Sequence, residues 1–105
     1  MSKEEIQQLQ MMEQSLQQFS MQKQQYEAQL RDVQNALGEL GKTEESFKII
    51  GNVLVKMKKE HLIAELDEKK VMLTKRVDTL TSQEEKLRSN MKTLQEKVME
   101  NINNE

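Results

Sequence analysis

A seven-residue apolar repeat, run twice on either side of a short β-branched segment, constrains this chain more than any other feature. With Leu9 at position a, the a positions read Leu9, Leu16, Lys23, Leu30 and Leu37, and the d positions Met12, Phe19, Tyr26, Val33 and Leu40. Nine of these ten are apolar or aromatic, and the positions between them are mostly Gln, Glu, Lys and Arg. A stripe with this spacing is buried only against another helix, so the pattern predicts a coiled coil rather than an isolated helix. It predicts a helix over residues 1–40, opened by a capping box of Ser2 and Glu5. Gly41 is expected to close it as a C′ residue with positive φ. At about 1.5 Å per residue such a helix is roughly 55–60 Å long.

The second block spans residues 60–102. Its d positions are Leu66, Leu73, Leu80, Leu87 and Leu94, and its a positions Ile63, Lys70, Val77, Glu84, Met91 and Val98. Glu60, Glu65, Asp67 and Glu68 lie near its start, where the helix dipole favours negative charge. The two blocks test each other, because a faces d across an antiparallel pair. Leu37 with Leu66, Leu30 with Leu73, Leu16 with Leu87 and Leu9 with Leu94 all have numbers totalling 103. Leu40 with Ile63, Tyr26 with Val77 and Met12 with Met91 give the same total. One register therefore satisfies both seams and leaves about twenty residues, 41 to 60, between the helices. Lys23, Lys70 and Glu84 interrupt the seam, either as a register or specificity device or, the favoured reading, with long stems along the seam and charged heads in water. None is level with another in this register, so no ion pair is expected among them.

Composition removes other classes. Hydrophobic residues are 35% and charged residues 32%, against about 45–50% and 25% in ordinary globular domains. The fixed apolar spacing and the absence of Pro argue against disorder. No apolar run of about 18 residues is present to span a membrane, and residues 1–20 are Gln-rich without an apolar signal core. With no Cys there is no disulfide framework or thiol nucleophile, which fits a reducing, cytoplasmic interior. A net charge of −2 gives no basic footprint for nucleic acid. His61 is the only histidine, expected at a solvated helix start. The glycines are isolated at 38, 41 and 51, so no phosphate loop exists. The expectation is a non-enzyme without cofactor or metal. Eleven Gln between residues 7 and 34 are read as solvated helix surface, because the heptad cuts through the tract.

The connecting segment alternates between two largely apolar faces. Gly51-Asn52 suits a two-residue type II′ or I′ turn, which sets Ile50 opposite Val53, Ile49 opposite Leu54 and Lys48 opposite Val55. One face then carries Phe47, Ile49, Leu54 and Lys56, and the other Lys48, Ile50, Val53, Val55 and Met57. A lone two-stranded hairpin is marginal in water, and its open edges invite further strands. The expected resolution is oligomerisation through Phe47, Ile49, Ile50, Gly51, Asn52, Val53, Leu54 and Val55, several hairpins joining into one closed or stacked sheet.

At these residues the chain resembles a β-class subunit of prefoldin, over essentially its whole length. The resemblance is carried by Ala36-Leu37-Gly38-Glu39-Leu40, by Phe47-Lys48-Ile49-Ile50-Gly51-Asn52-Val53-Leu54-Val55-Lys56, by Glu65-Leu66-Asp67-Glu68-Lys69, and by Thr79-Leu80 with Gln83-Glu84-Glu85-Lys86-Leu87. The hairpin between two heptad arms is its specific part. Phe47 stands where Tyr is common in the family, and residues 99–105 match none of its patterns. The resemblance implies a mainly α fold: one long antiparallel two-helix coiled coil (residues 1–40 and 60–102) whose single hairpin (within 41–59) joins an intersubunit β-barrel, all in one domain, 1–105. It implies a hetero-hexamer of two α-class and four β-class chains, ATP-independent holding of unfolded polypeptides, and delivery to a group II chaperonin, with no nucleic acid or membrane partner. Client binding in the family lies at the arm tips. Here Ile6, Leu9, Met11 and Met12 are expected to meet Met91, Leu94, Val98, Met99 and Ile102. Five of the eight Met lie within fifteen residues of a terminus, and Met suits promiscuous apolar surfaces. Met11, Met99 and Ile102 fall off the seam and should be exposed. The alternative is a structural or tethering coiled coil that oligomerises through its hairpin.

Overall fold

The computed structural model of the chain describes residues 2–103; Met1, counted above among the terminal methionines, lies outside them. Four elements follow one another: α1 (Lys3–Leu40), β1 (Ser46–Ile50), β2 (Val53–Met57) and α2 (Lys59–Asn103). The fold is mainly helical, with one antiparallel hairpin between two long helices, as the sequence predicts. No helix among the described residues is long and apolar enough to cross a membrane.

Local chemistry sets the ends of α1. The Glu5 amide donates to Ser2 Oγ at 3.1 Å, and the Ser2 amide to Glu5 Oε1 at 3.4 Å. This is the reciprocal capping box, which satisfies amides that have no helical partner. The other end departs from expectation. Gly51 is the one glycine with positive φ among the described residues, so Gly41 is not a left-handed cap. The Gly41 amide instead donates to the Leu37 carbonyl at 3.2 Å and the Lys42 amide to that of Glu39 at 3.0 Å. The last turn tightens from i−4 to i−3 bonding and releases the chain without a left-handed residue.

The chain divides into two compact units, Gln25–Arg76 and Met1–Gln24 with Val77–Glu105. In the first, Val33, Leu40, Leu62 and Leu73 are buried; in the second, Leu80, Glu84 and Val98. The seam phase holds throughout: all ten a and d positions of α1 are at least half-buried, and so are those of α2 except Lys70. Leu62 is buried one residue off the seam.

Two polar contacts fit the expected register. Within the hairpin-bearing unit, Arg76 Nη1 donates to Tyr26 Oη at 3.0 Å, and its guanidinium lies 5.3 Å from the Tyr26 ring centroid. Arg76 neighbours Val77, the residue set opposite Tyr26. Within the terminal unit, Lys23 reaches Glu84 at 3.1 Å, one seam layer away. Cysteines at positions 16 and 87 should therefore crosslink within one chain under mild oxidation, since facing seam positions approach the Cβ separation a disulfide needs. Preferential crosslinking of 16 to 80 or 94 would reject the register.

Candidate functional site

The fold leaves uncovered many of the apolar side chains in the two regions that the sequence singles out. The first is the hairpin. Its register pairs Ser46 with Met57, Phe47 with Lys56, Lys48 with Val55, Ile49 with Leu54 and Ile50 with Val53. Gly51 has φ 62°, and no other described residue has positive φ. One left-handed residue at the first turn position is type II′, which settles the choice that the sequence left open. Ser46 closes the base: it is buried, and its hydroxyl donates to the Met57 carbonyl at 2.7 Å. The apolar alternation starts at Phe47, so the sequence pattern gives no sign of this contact. Lys48 pairs with Glu65 of α2, which ties the Lys48 face to the helix. On that face Lys48 and Met57 are half-buried, while Ile50 and Val53 near the turn are exposed. The opposite face is bare, with Ile49 71% and Leu54 63% exposed beside Phe47. So many β-branched and aromatic side chains do not remain in water on a stable two-stranded sheet.

The second surface lies in the terminal unit. Met11 (68%), Met99, Ile102 and Ile6 are exposed. Leu9, Met12, Met91 and Leu94 are half-buried seam residues. Val98, by contrast, is 2% exposed, so of the nine tip residues it alone is sealed inside. The exposed set is the four tip residues, Ile6 among them, that heptad phase places off the seam.

The interrupted seam holds a correction. Glu84 is 4% exposed. Its Oε1 lies 3.1 Å from Lys23 Nζ and its Oε2 3.7 Å from the Arg88 guanidinium. The expectation of no ion pair is overturned. It compared only residues in the same layer, but helical side chains lean towards their own N-terminus. On antiparallel helices the Lys23 and Glu84 stems lean towards each other and close a one-layer offset. The contact is ionic rather than a well-aligned hydrogen bond. Lys70 does point to water, and His61 is exposed at the start of α2. Among the described residues no group of three or more His, Cys, Asp or Glu is placed to hold a metal ion.

These features define a class: an antiparallel two-helix coiled coil that carries a bare apolar β-hairpin between its arms. A family model described as prefoldin subunit matches residues 3–105. The chain is 46% identical over 96 residues to the prefoldin subunit beta of Archaeoglobus fulgidus, covering 89% of this chain and 83% of that one. It is 38% identical over 86 residues to prefoldin subunit beta of Pyrobaculum calidifontis, covering 79% and 69%. The crystal structure of the prefoldin beta subunit from Thermococcus strain KS-1 superposes with a TM-score of 0.86 at 31% identity, covering 91% of this chain and 87% of that one. The chain belongs to the prefoldin subunit family, in its β class. Membership carries oligomerisation with other prefoldin subunits.

Proposed function

We propose that this chain is a subunit of an ATP-independent chaperone that holds non-native polypeptides at its paired helix ends and passes them to a group II chaperonin. The observation that carries the reading is the set of exposed apolar side chains at those ends, Met11, Met99, Ile102 and Ile6, on a chain of this family. Flexible, polarizable Met adapts to many apolar shapes. Each end makes a weak contact, and assembly through the hairpins multiplies these contacts into avidity. The assembly we propose contains two α-class and four β-class chains in the cytoplasm. Fraying of the terminal turns, whose last backbone groups lack helical partners, would also uncover Leu9, Leu94 and Val98 to a client.

Removing residues 1–10 and 95–105 tests this. The truncated chain should still assemble, because the hairpin is untouched, yet lose suppression of client aggregation. Replacing Met11, Met99 and Ile102 with Ser should weaken capture with little loss of helix. Unchanged holding by the truncated assembly would move the client site off the helix ends.

A further inference from the structure

Glu84 is the only charged residue buried among the described residues, and it holds an a position where Leu or Val would pack. Its Oε1 lies 3.1 Å from Lys23 Nζ without an aligned hydrogen bond. A buried ion pair of this kind adds little stability over apolar residues of similar volume. What it can supply is selection among pairings, as single polar a residues do in other coiled coils. The apolar residues of the terminal unit select weakly. Sliding α2 along α1 by one heptad sets Leu16 opposite Leu80 or Leu94, and Phe19 opposite Val77 or Met91, all of them apolar. A second copy of the chain is another partner. In a parallel pair a meets a and d meets d. α2 has Leu at all five d positions and β-branched Ile63, Val77 and Val98 at a, the combination that favours two parallel strands. α1 presents an a and d stripe broken only by Lys23. Oligomerisation brings such copies within reach of one another.

We infer that Lys23 and Glu84 are the pairing-specificity residues of this coiled coil. They hold α1 to antiparallel pairing with α2, in the register that sets Leu16 opposite Leu87, and they exclude pairing of either helix with its own copy. In that register the two stems lean towards each other across one layer and the charges meet. If Leu16 slides to Leu80, the charges stand about three layers apart. If Leu16 slides to Leu94, one layer again separates them, but both stems then lean away. Either slip leaves the Glu84 carboxylate in the seam with only Arg88 beside it, 3.7 Å away on its own helix. Pairing between copies is less favourable still. Glu84 meets a second Glu84, or Lys23 a second Lys23, at a single a layer, and like charges there repel. Lys70 also holds an a position, but it is exposed. Its stem reaches water in any register, so it discriminates little.

The test separates selection from stability. Lys23→Met with Glu84→Leu removes both charges, and Lys23→Glu with Glu84→Lys exchanges them. The full-length chain has no Cys, so introduced thiols report alone. Leu16→Cys is combined with Leu80→Cys, Leu87→Cys or Leu94→Cys to read the register, and Leu87→Cys by itself reads parallel pairing between copies. All are oxidised in a glutathione buffer, and the disulfides are quantified by mass spectrometry. The parent chain should join 16 to 87 and form few of the others. The apolar variant should keep its helix content and melting temperature. Its yield of 16–80, 16–94 and chain-to-chain 87–87 disulfides, taken together against 16–87, should rise about tenfold. The exchanged variant should return to the parent pattern, because attraction between α1 and α2 and repulsion between copies both survive. An apolar variant as selective as the parent overturns the inference. So does an exchanged variant as unselective as the apolar one, and so does a parent chain that forms the other disulfides as readily as 16–87.

Discussion

Replacing Ile49 and Val53 with Asp should take the assembly apart while leaving the helices intact. Ile49 lies on one face of the hairpin and Val53 on the other, and both are exposed in the single chain, so neither substitution disturbs the chain's own packing. In a closed sheet of several hairpins the same positions become buried. A carboxylate there has no partner and costs several kcal/mol. Two such costs, at about 1.4 kcal/mol per tenfold, weaken association by roughly a thousandfold or more. Native mass spectrometry should show single chains where the parent forms an oligomer, with unchanged far-ultraviolet helix signal. Ile49→Val with Val53→Ile, which conserves apolar volume, should keep the oligomer. An intact oligomer in the Asp variant would place the subunit contact elsewhere than the hairpin.

The Lys23–Glu84 pair should respond asymmetrically. Glu84 is sealed in the seam, whereas the Lys23 side chain keeps 27% of its exposure. Lys23→Met strands a buried carboxylate with only Arg88 near it, at 3.7 Å. Removing one partner of a buried pair costs about 3–5 kcal/mol. Partial solvent access at Lys23 and the remaining Arg88 reduce this to about 1–3 kcal/mol, enough to lower the melting temperature by roughly 10 °C. Glu84→Leu should cost little, because the Lys23 head turns to water along its stem. The double variant, with both groups apolar, should melt at or above the parent chain, as well-packed replacements of buried ion pairs do. Thermal melts of the four chains check the order. A Lys23→Met chain as stable as the parent would mean that Glu84 is not confined as the structure places it.

Much of this architecture is legible in the sequence because its physics is periodic. Position a or d is enough to cover Leu30, Leu73 and Val98, and position b or c is enough to expose Met99 and Met11. The hairpin register follows from Gly51-Asn52, since a two-residue turn leaves one pairing for Ile50 with Val53. Three features depend on geometry that a pattern of letters does not carry. Lys23 and Glu84 meet because their stems lean between layers. Gly41 ends α1 by a tightened turn although its residue type permits a left-handed cap. Ser46 closes the hairpin base through one hydroxyl, and nothing around it in sequence distinguishes that serine from a loop residue. Heptad phase reaches the terminal surface only in part: it separates Met11 and Met99 from the seam, but it does not separate sealed Val98 from half-open Leu94, which share one stripe.

The central claim is that exposed apolar groups at the ends of this coiled coil hold non-native chains without nucleotide. The most direct measurement is light scattering of several unrelated denatured proteins, diluted into buffer with the chain assembled with its partner subunits and no ATP. The expected result is delayed aggregation of every one of them, lost on removing residues 1–10 and 95–105. Aggregation of all of them at the uncatalysed rate would contradict the claim and leave a coiled coil that tethers folded partners.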